Sequence, residues 1–198
     1  LTTQTTPVID LNKAGNPLDM GVQVLRKLGA KADVAVMLGN GNAFRCENDD
    51  QRKVYVQRHY ALGKLESRVY LDWQKQPKSA DELTLAALVG VVKEGGQGAV
   101  EFYQCTVKKA AAGEGLKSFG VSLYGSKKPS DKKKVFARAD LYEPDGDAED
   151  DQETLLIGGV DLKLADQVHV MPNVRAVLYQ DSNKDAELTP RITGFFEF

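Results

Sequence analysis

From Asp19 onward the chain is written in segments of about ten residues that alternate apolar and polar side chains, with almost no 3.6-residue repeat between them. That pattern confines the chain to β structure, because a period of two places successive side chains on opposite faces of a strand. Strands are predicted over 19–29, 31–40, 53–62, 65–75, 82–94, 98–108, 115–126, 133–143, 153–164, 167–180 and 188–198. Val69, Leu71 and Trp73 oppose Arg68, Tyr70, Asp72 and Gln74, and Phe119, Val121 and Leu123 oppose Ser118, Gly120 and Ser122. Val135, Ala137, Ala139 and Leu141 oppose Arg138 and Asp140, and Val170, Val174, Ala176 and Leu178 oppose His169, Asn173 and Arg175. One face is apolar and the other carries charge in mid-strand. A soluble sheet with one solvated face and a membrane barrel both satisfy this alternation.

Connection lengths discriminate between them. Residues 29–31, 62–65, 95–98 and 165–167 read as tight turns, with 126–132 a looser member of the same set. Between them fall mostly longer polar links at 40–52, 76–81, 109–114, 143–153 and 181–187. Short and long connections therefore alternate along the chain. An up-and-down barrel that crosses a bilayer has this asymmetry, whereas a Greek-key sandwich mixes hairpins and long crossovers in no fixed order. The expected fold is all-β: an up-and-down antiparallel transmembrane β-barrel with about 11 to 12 strands visible.

The last segment supports the same reading. Ile192, Gly194, Phe196 and Phe198 fall on one face, and the sequence stops on the last of these aromatics. Bacterial barrels of this type have an even strand count. Eleven strands therefore call either for a twelfth near Thr5 to Leu11 or for a longer barrel of which this chain is the C-terminal part. The second is favoured, because Pro7 and the Thr-rich start make a poor strand. Residues 1–18 are accordingly read as a loop or incomplete strand and 19–198 as a single barrel domain.

Composition removes several classes of function. No window reaches the roughly 18 to 20 apolar residues of a membrane-spanning helix, and mean hydropathy is -0.36. A net charge of -2 and a pI near 5.8 offer no basic footprint for nucleic acid. Cys46 and Cys105 have no CxxC spacing and are expected to be unpaired. No nucleophile elbow, zincin motif or Ser, His and Asp grouping occurs, so no enzyme, catalytic residue or cofactor is expected. His59 and His169 share the parity of the polar face and lack a third partner, so no metal site is expected. The acidic stretches 145–151 and 181–187 read as solvated loops; the second begins like a calcium loop but lacks its Gly and distant Glu. Lys127, Lys128, Lys132, Lys133 and Lys134 gather at one turn and suit a solvated turn, anionic headgroups or an acidic partner. Trp73, Tyr60, Tyr103, Tyr124, Tyr142 and Tyr179 lie mostly near strand ends, as interfacial girdles do, though ordinary core or edge positions suit them equally.

Two stretches resemble a known family. Residues 18–24 followed by 34–42 resemble an inward strand, turn, outward strand and Asn/Gly-rich outer loop of the porin-like outer-membrane proteins of Gram-negative bacteria. Residues 155–161, 168–175 and the closing Phe198 resemble the last hairpin and final strand of those porins. The resemblance implies residence in a Gram-negative outer membrane, contact with its lipid, and insertion by the barrel-assembly machinery. The terminal signal for that machinery would be carried by Ile192, Phe196 and Phe198. It also implies passive diffusion of small hydrophilic solutes through a lumen. The polar face makes Arg68, Asp72, Arg138, Asp140, Asp161, Lys163, His169, Asn173, Arg175 and Arg191 the candidate lumen lining. A homo-oligomer is a further expectation. The alternatives are a non-conducting barrel that anchors a partner protein, and a soluble secreted β-sandwich that binds a ligand.

Overall fold

A computed structural model describes residues 20–41, 52–76, 80–108 and 115–196. The segment 1–18, the loop residues 42–51, Cys46 and the terminal Phe198 lie outside the described residues.

The described chain is one eleven-stranded antiparallel sheet in which every strand pairs with its neighbour in sequence. Its strands are β1 Gly21–Lys27, β2 Ala32–Gly39, β3 Lys53–Leu62, β4 Leu65–Gln76, β5 Ala80–Lys93, β6 Gly96–Lys108, β7 Leu116–Ser130, β8 Lys133–Glu143, β9 Glu153–Ala165, β10 Val168–Tyr179 and β11 Glu187–Phe196. β1 and β11 are the edges. They run in the same direction, so direct pairing between them would be parallel.

The short connections gather at one rim. Gly63-Lys64, Glu94-Gly95, Asp131-Lys132 and Asp166-Gln167 are two-residue turns, and residues 28–31 join β1 to β2. Gly63 (φ 62°) and Gly95 (φ 76°) occupy the left-handed region, and nothing crowds Gly63, so conformation rather than space selects glycine there. Neighbouring hairpins are stitched at this rim by backbone bonds: Ala61, Val92, Lys128 and Lys163 donate to the carbonyls of Lys31, Lys64, Gly95 and Lys132. The longer connections among the described residues, 144–152 and 180–186, lie at the opposite end.

Two connections differ from expectation. β7 runs to Ser130, so most of what reads as a loose loop is a continuation of the hairpin. Pro129 lacks the N–H a ladder needs, and the register shifts between Lys127 and Ser130 to accommodate it. β4 reaches Gln76 and β5 begins at Ala80, in register with each other, so the link between them is shorter than the polar composition suggests.

The two faces of the sheet have inverted polarity. Its buried residues include Lys53, Asp72, Gln74, Thr84, Glu101, Ser118, Ser122, Arg138, Asp140, Asp161 and Asn173, more than the buried Tyr55, Ala86, Tyr103, Cys105, Met171 and Val177. The strand registers put all of these on one face. Among the described residues no helix or second sheet covers that face, so its burial comes from the sheet curling around it. The other face exposes one apolar row after another. Val89, Val100, Leu123, Ala139 and Leu156 form such a row across β5 to β9, and Leu123 is 60 % exposed. On this outward face Arg26 and Arg58 fall in one cross-strand row on either side of Val34; a long stem of this kind can turn its charge toward water.

Candidate lumen

Three groups of side chains occupy the enclosed face at successive heights. Nearest the long connections, Lys53 Nζ lies 3.0 Å from Asp72 Oδ1 and 3.2 Å from Glu82 Oε1. Tyr70 donates its hydroxyl hydrogen to Asp72 Oδ2, and the Lys53 ammonium stands 5.7 Å from the centre of the Tyr55 ring. Lys53 and Asp72 are almost wholly removed from solvent. A buried ammonium and carboxylate each lose hydration worth several kcal/mol, so the pair holds its charge only because the partners sit together. The contact clamps β3, β4 and β5 to one another.

At mid-height, Arg138 Nε donates to both Asp140 oxygens at 2.8 Å, and Ser122 Oγ donates to Asp140 Oδ1. β7 and β8 are thereby tied through one carboxylate. Beside it Tyr103, fully buried, lays its ring over Gly120, where any Cβ would collide with the ring. Phe136 covers Gly159 in the same way. Large rings fit on this face because glycine stands opposite them.

Toward the short-turn rim, His169 Nδ1 and Asp161 Oδ1 are 2.7 Å apart, and the His169 ring meets Phe195 edge to face at 6.2 Å. His59 Nδ1 similarly lies 3.2 Å from Asp33 Oδ2. Both histidines thus have a carboxylate on a neighbouring strand. Among the described residues no group of three metal-binding side chains comes together.

The ten residues proposed from sequence as a lumen lining all share the enclosed face. Asp72, Arg138, Asp140, Asp161 and Asn173 are buried on it; Lys163, His169 and Arg175 are half-buried; Arg68 and Arg191 are exposed. Asn173 donates its side-chain amide to the Met171 carbonyl at 2.9 Å. Arg191 pairs in register with Asn173 on the edge strand β11. Sequence reasoning passed over Lys53, Thr84, Glu82, Glu101, Ser122 and Tyr103. Lys53 and Ser122 share the parity of residues read as polar in their own strands, but β5 and β6 offered no such reference, and only strand register places Glu82, Thr84, Glu101 and Tyr103. Of the candidate terminal signal, Ile192 and Phe196 lie on the outward face at 79 % and 59 % exposure, and Phe198 is outside the described residues.

The aromatics, which the sequence leaves open between girdle and core, divide by face. Tyr103, Tyr124, Tyr142 and Tyr179 point to the enclosed face by register, so they cannot meet an interface outside it. Tyr60 and Trp73 do point outward, on adjacent strands and toward opposite rims. Parity, not nearness to a strand end, decides which ring reaches the outward face.

The loops hold simpler electrostatics. Asp181 accepts hydrogen bonds from the Asn183 backbone N–H at 2.9 Å and side-chain amide at 3.0 Å, which hold its carboxyl below the usual carboxylate range. The Lys128 ammonium, 2.9 Å away, does the same for Asp131. Asp166 is likewise held low by Lys163.

No protein-family model matches the chain, and no curated protein matches it in sequence. Solved structures do match it in three dimensions. The outer-membrane-expressed OmpT of Vibrio cholerae superposes with a TM-score of 0.67 at 14 % identity, over 89 % of this chain and 62 % of that one. A porin superposes with a TM-score of 0.65 at 13 % identity, over 88 % of this chain and 60 % of that one. The chain spans about three fifths of the length of these structures. At such identities the likeness is one of fold: an all-β, up-and-down antiparallel sheet of the outer-membrane barrel type, with its edges β1 and β11 unjoined among the described residues.

Proposed function

We propose that the protein is an outer-membrane β-barrel whose enclosed face lines a water-filled path for passive diffusion of small hydrophilic solutes. The inverted polarity carries this reading: charged and hydroxylated side chains are buried while valines, leucines and phenylalanines are exposed. Water rewards the opposite arrangement. Lipid rewards this one, since hydrocarbon takes the apolar face and the bore keeps its polar groups solvated or paired.

Residence in the outer membrane, contact with its lipid and insertion through the barrel-assembly machinery belong to the same proposal. So does completion of the sheet, because an antiparallel barrel cannot close directly between β1 and β11; further strands or a second copy would supply the join. Mixed charges along the bore, many already paired with one another, favour weak selectivity by size and field over a tight binding site.

The test is a planar-bilayer recording of the full-length protein, its folded state checked by heat-dependent gel mobility. Stepwise current is expected. A folded, inserted protein that passes no current would refute the channel. One observation favours a second reading, a non-conducting barrel that anchors a partner: Asp72, Thr84, Tyr103, Ser122 and Met171 have almost no exposure, so part of the bore is filled by side chains. The same silent recording would support it.

A further inference from the structure

At the short-turn rim, the β7–β8 hairpin together with β9 and β10 borders an open cavity of about 230 Å³. Five lysines line it, against two aspartates and His169. Both carboxylates are already engaged: Asp131 with Lys128 at 2.9 Å, and Asp161 with His169 at 2.7 Å. Lys163 is occupied by Asp166, outside the cavity, at 2.9 Å. Lys132 and Lys134 have no ion pair among the described residues, while Lys133, one place before Lys134 in β8, faces outward by register. The cavity therefore keeps a surplus of positive charge within a shaped space.

We propose that this cavity binds a small, multiply charged oxyanion of the phosphate type, drawn from the aqueous mouth of the bore. Its size argues for an ion, because drug-sized molecules occupy pockets of roughly 300–1,000 Å³. Lysines placed around one space favour a polyvalent oxyanion over chloride, since each ammonium can donate to a different oxygen. The register argues for a solute over a lipid headgroup: Lys134 opposes Asp161 and Lys163 opposes His169 on the enclosed face, the side turned from lipid in the channel reading. The other short turns carry Lys31 and Lys64 singly.

The inference rests on the barrel reading for its direction of access, yet its test does not depend on conduction. Inorganic pyrophosphate is titrated calorimetrically into the full chain in maltoside micelles at low salt, and the cavity variant K132Q/K134Q is compared with the turn control K31Q/K64Q. Saturable binding is expected in the parent and the control, weakened about ten-fold or more in the cavity variant, with heat-dependent mobility unchanged in all three. Absence of saturable binding by the parent, or equal binding by all three, overturns the site. Capture of short-chain phosphatidylglycerol without capture of pyrophosphate makes it a headgroup seat and overturns the solute assignment. A protein that binds pyrophosphate but passes no current loses the channel reading and keeps the site.

Discussion

Leu123→Arg separates a lipid-facing surface from a water-facing one. Leu123 sits at the middle of β7, points outward in an all-apolar row and is 60 % exposed. If that exposure were to water, the change would be small. Only about two fifths of the side chain is covered by protein, full burial of a leucine is worth about 1.5–3 kcal/mol, and an arginine stem covers much of the same area. The expected loss is then under about 1 kcal/mol, the range of ordinary surface substitutions. In a bilayer the guanidinium would enter hydrocarbon near mid-depth, where Arg on the lipid face of a barrel costs about 2–4 kcal/mol. That corresponds to a fall of roughly 30- to 700-fold in the folding equilibrium. Reversible guanidinium titration in phosphatidylcholine vesicles, followed by Trp73 fluorescence and heat-dependent mobility, measures the difference. A Leu123→Arg protein within about 0.5 kcal/mol of the parent in vesicles would refute a lipid-facing outer surface.

Other outcomes follow from the enclosed face and the loops. Asp72→Leu leaves the Lys53 ammonium buried beside Glu82 alone and is expected to destabilise by about 3–5 kcal/mol, with K53M/D72L recovering part of the loss; the same vesicle titration reads both. Gly120→Ala drives a methyl into the Tyr103 ring and is expected to cost about 1–3 kcal/mol, a loss that shrinks when Tyr103→Leu is added, as a double-mutant cycle will show. Asp181 contributes its loop contact above the ordinary carboxylate range and loses it as pH falls through its depressed folded value. Acid is therefore expected to release the Asn183 amide, seen as a shift of its NMR resonance toward the random-coil position, and Asp181→Asn should abolish that titration.

The strand pattern was readable because each face demands one kind of side chain at every second position. Val69, Leu71 and Trp73 could not change face without carrying Asp72 to the apolar side of the sheet, and the observed register of β4 follows them. Three things were hidden for physical reasons. Pro129 reads as a breaker, yet a register shift lets the hairpin run past it. Tyr103 reads equally as a girdle or a core aromatic, and only Gly120 opposite, which makes room for its ring inside, decides between them. The Lys53 contact with Asp72 and Glu82 spans three strands, and only cross-strand pairing, which no local pattern encodes, brings those charges together.

Because every ladder joins strands adjacent in sequence, a hairpin can be added or removed wherever its neighbours can re-form one seam. The girth of the assembly is thus a count of hairpins, changed in steps of two strands with the remaining pairs left in register. Such a sheet can widen by duplication of a short stretch of gene, and wider or narrower bores lie within reach of the same plan.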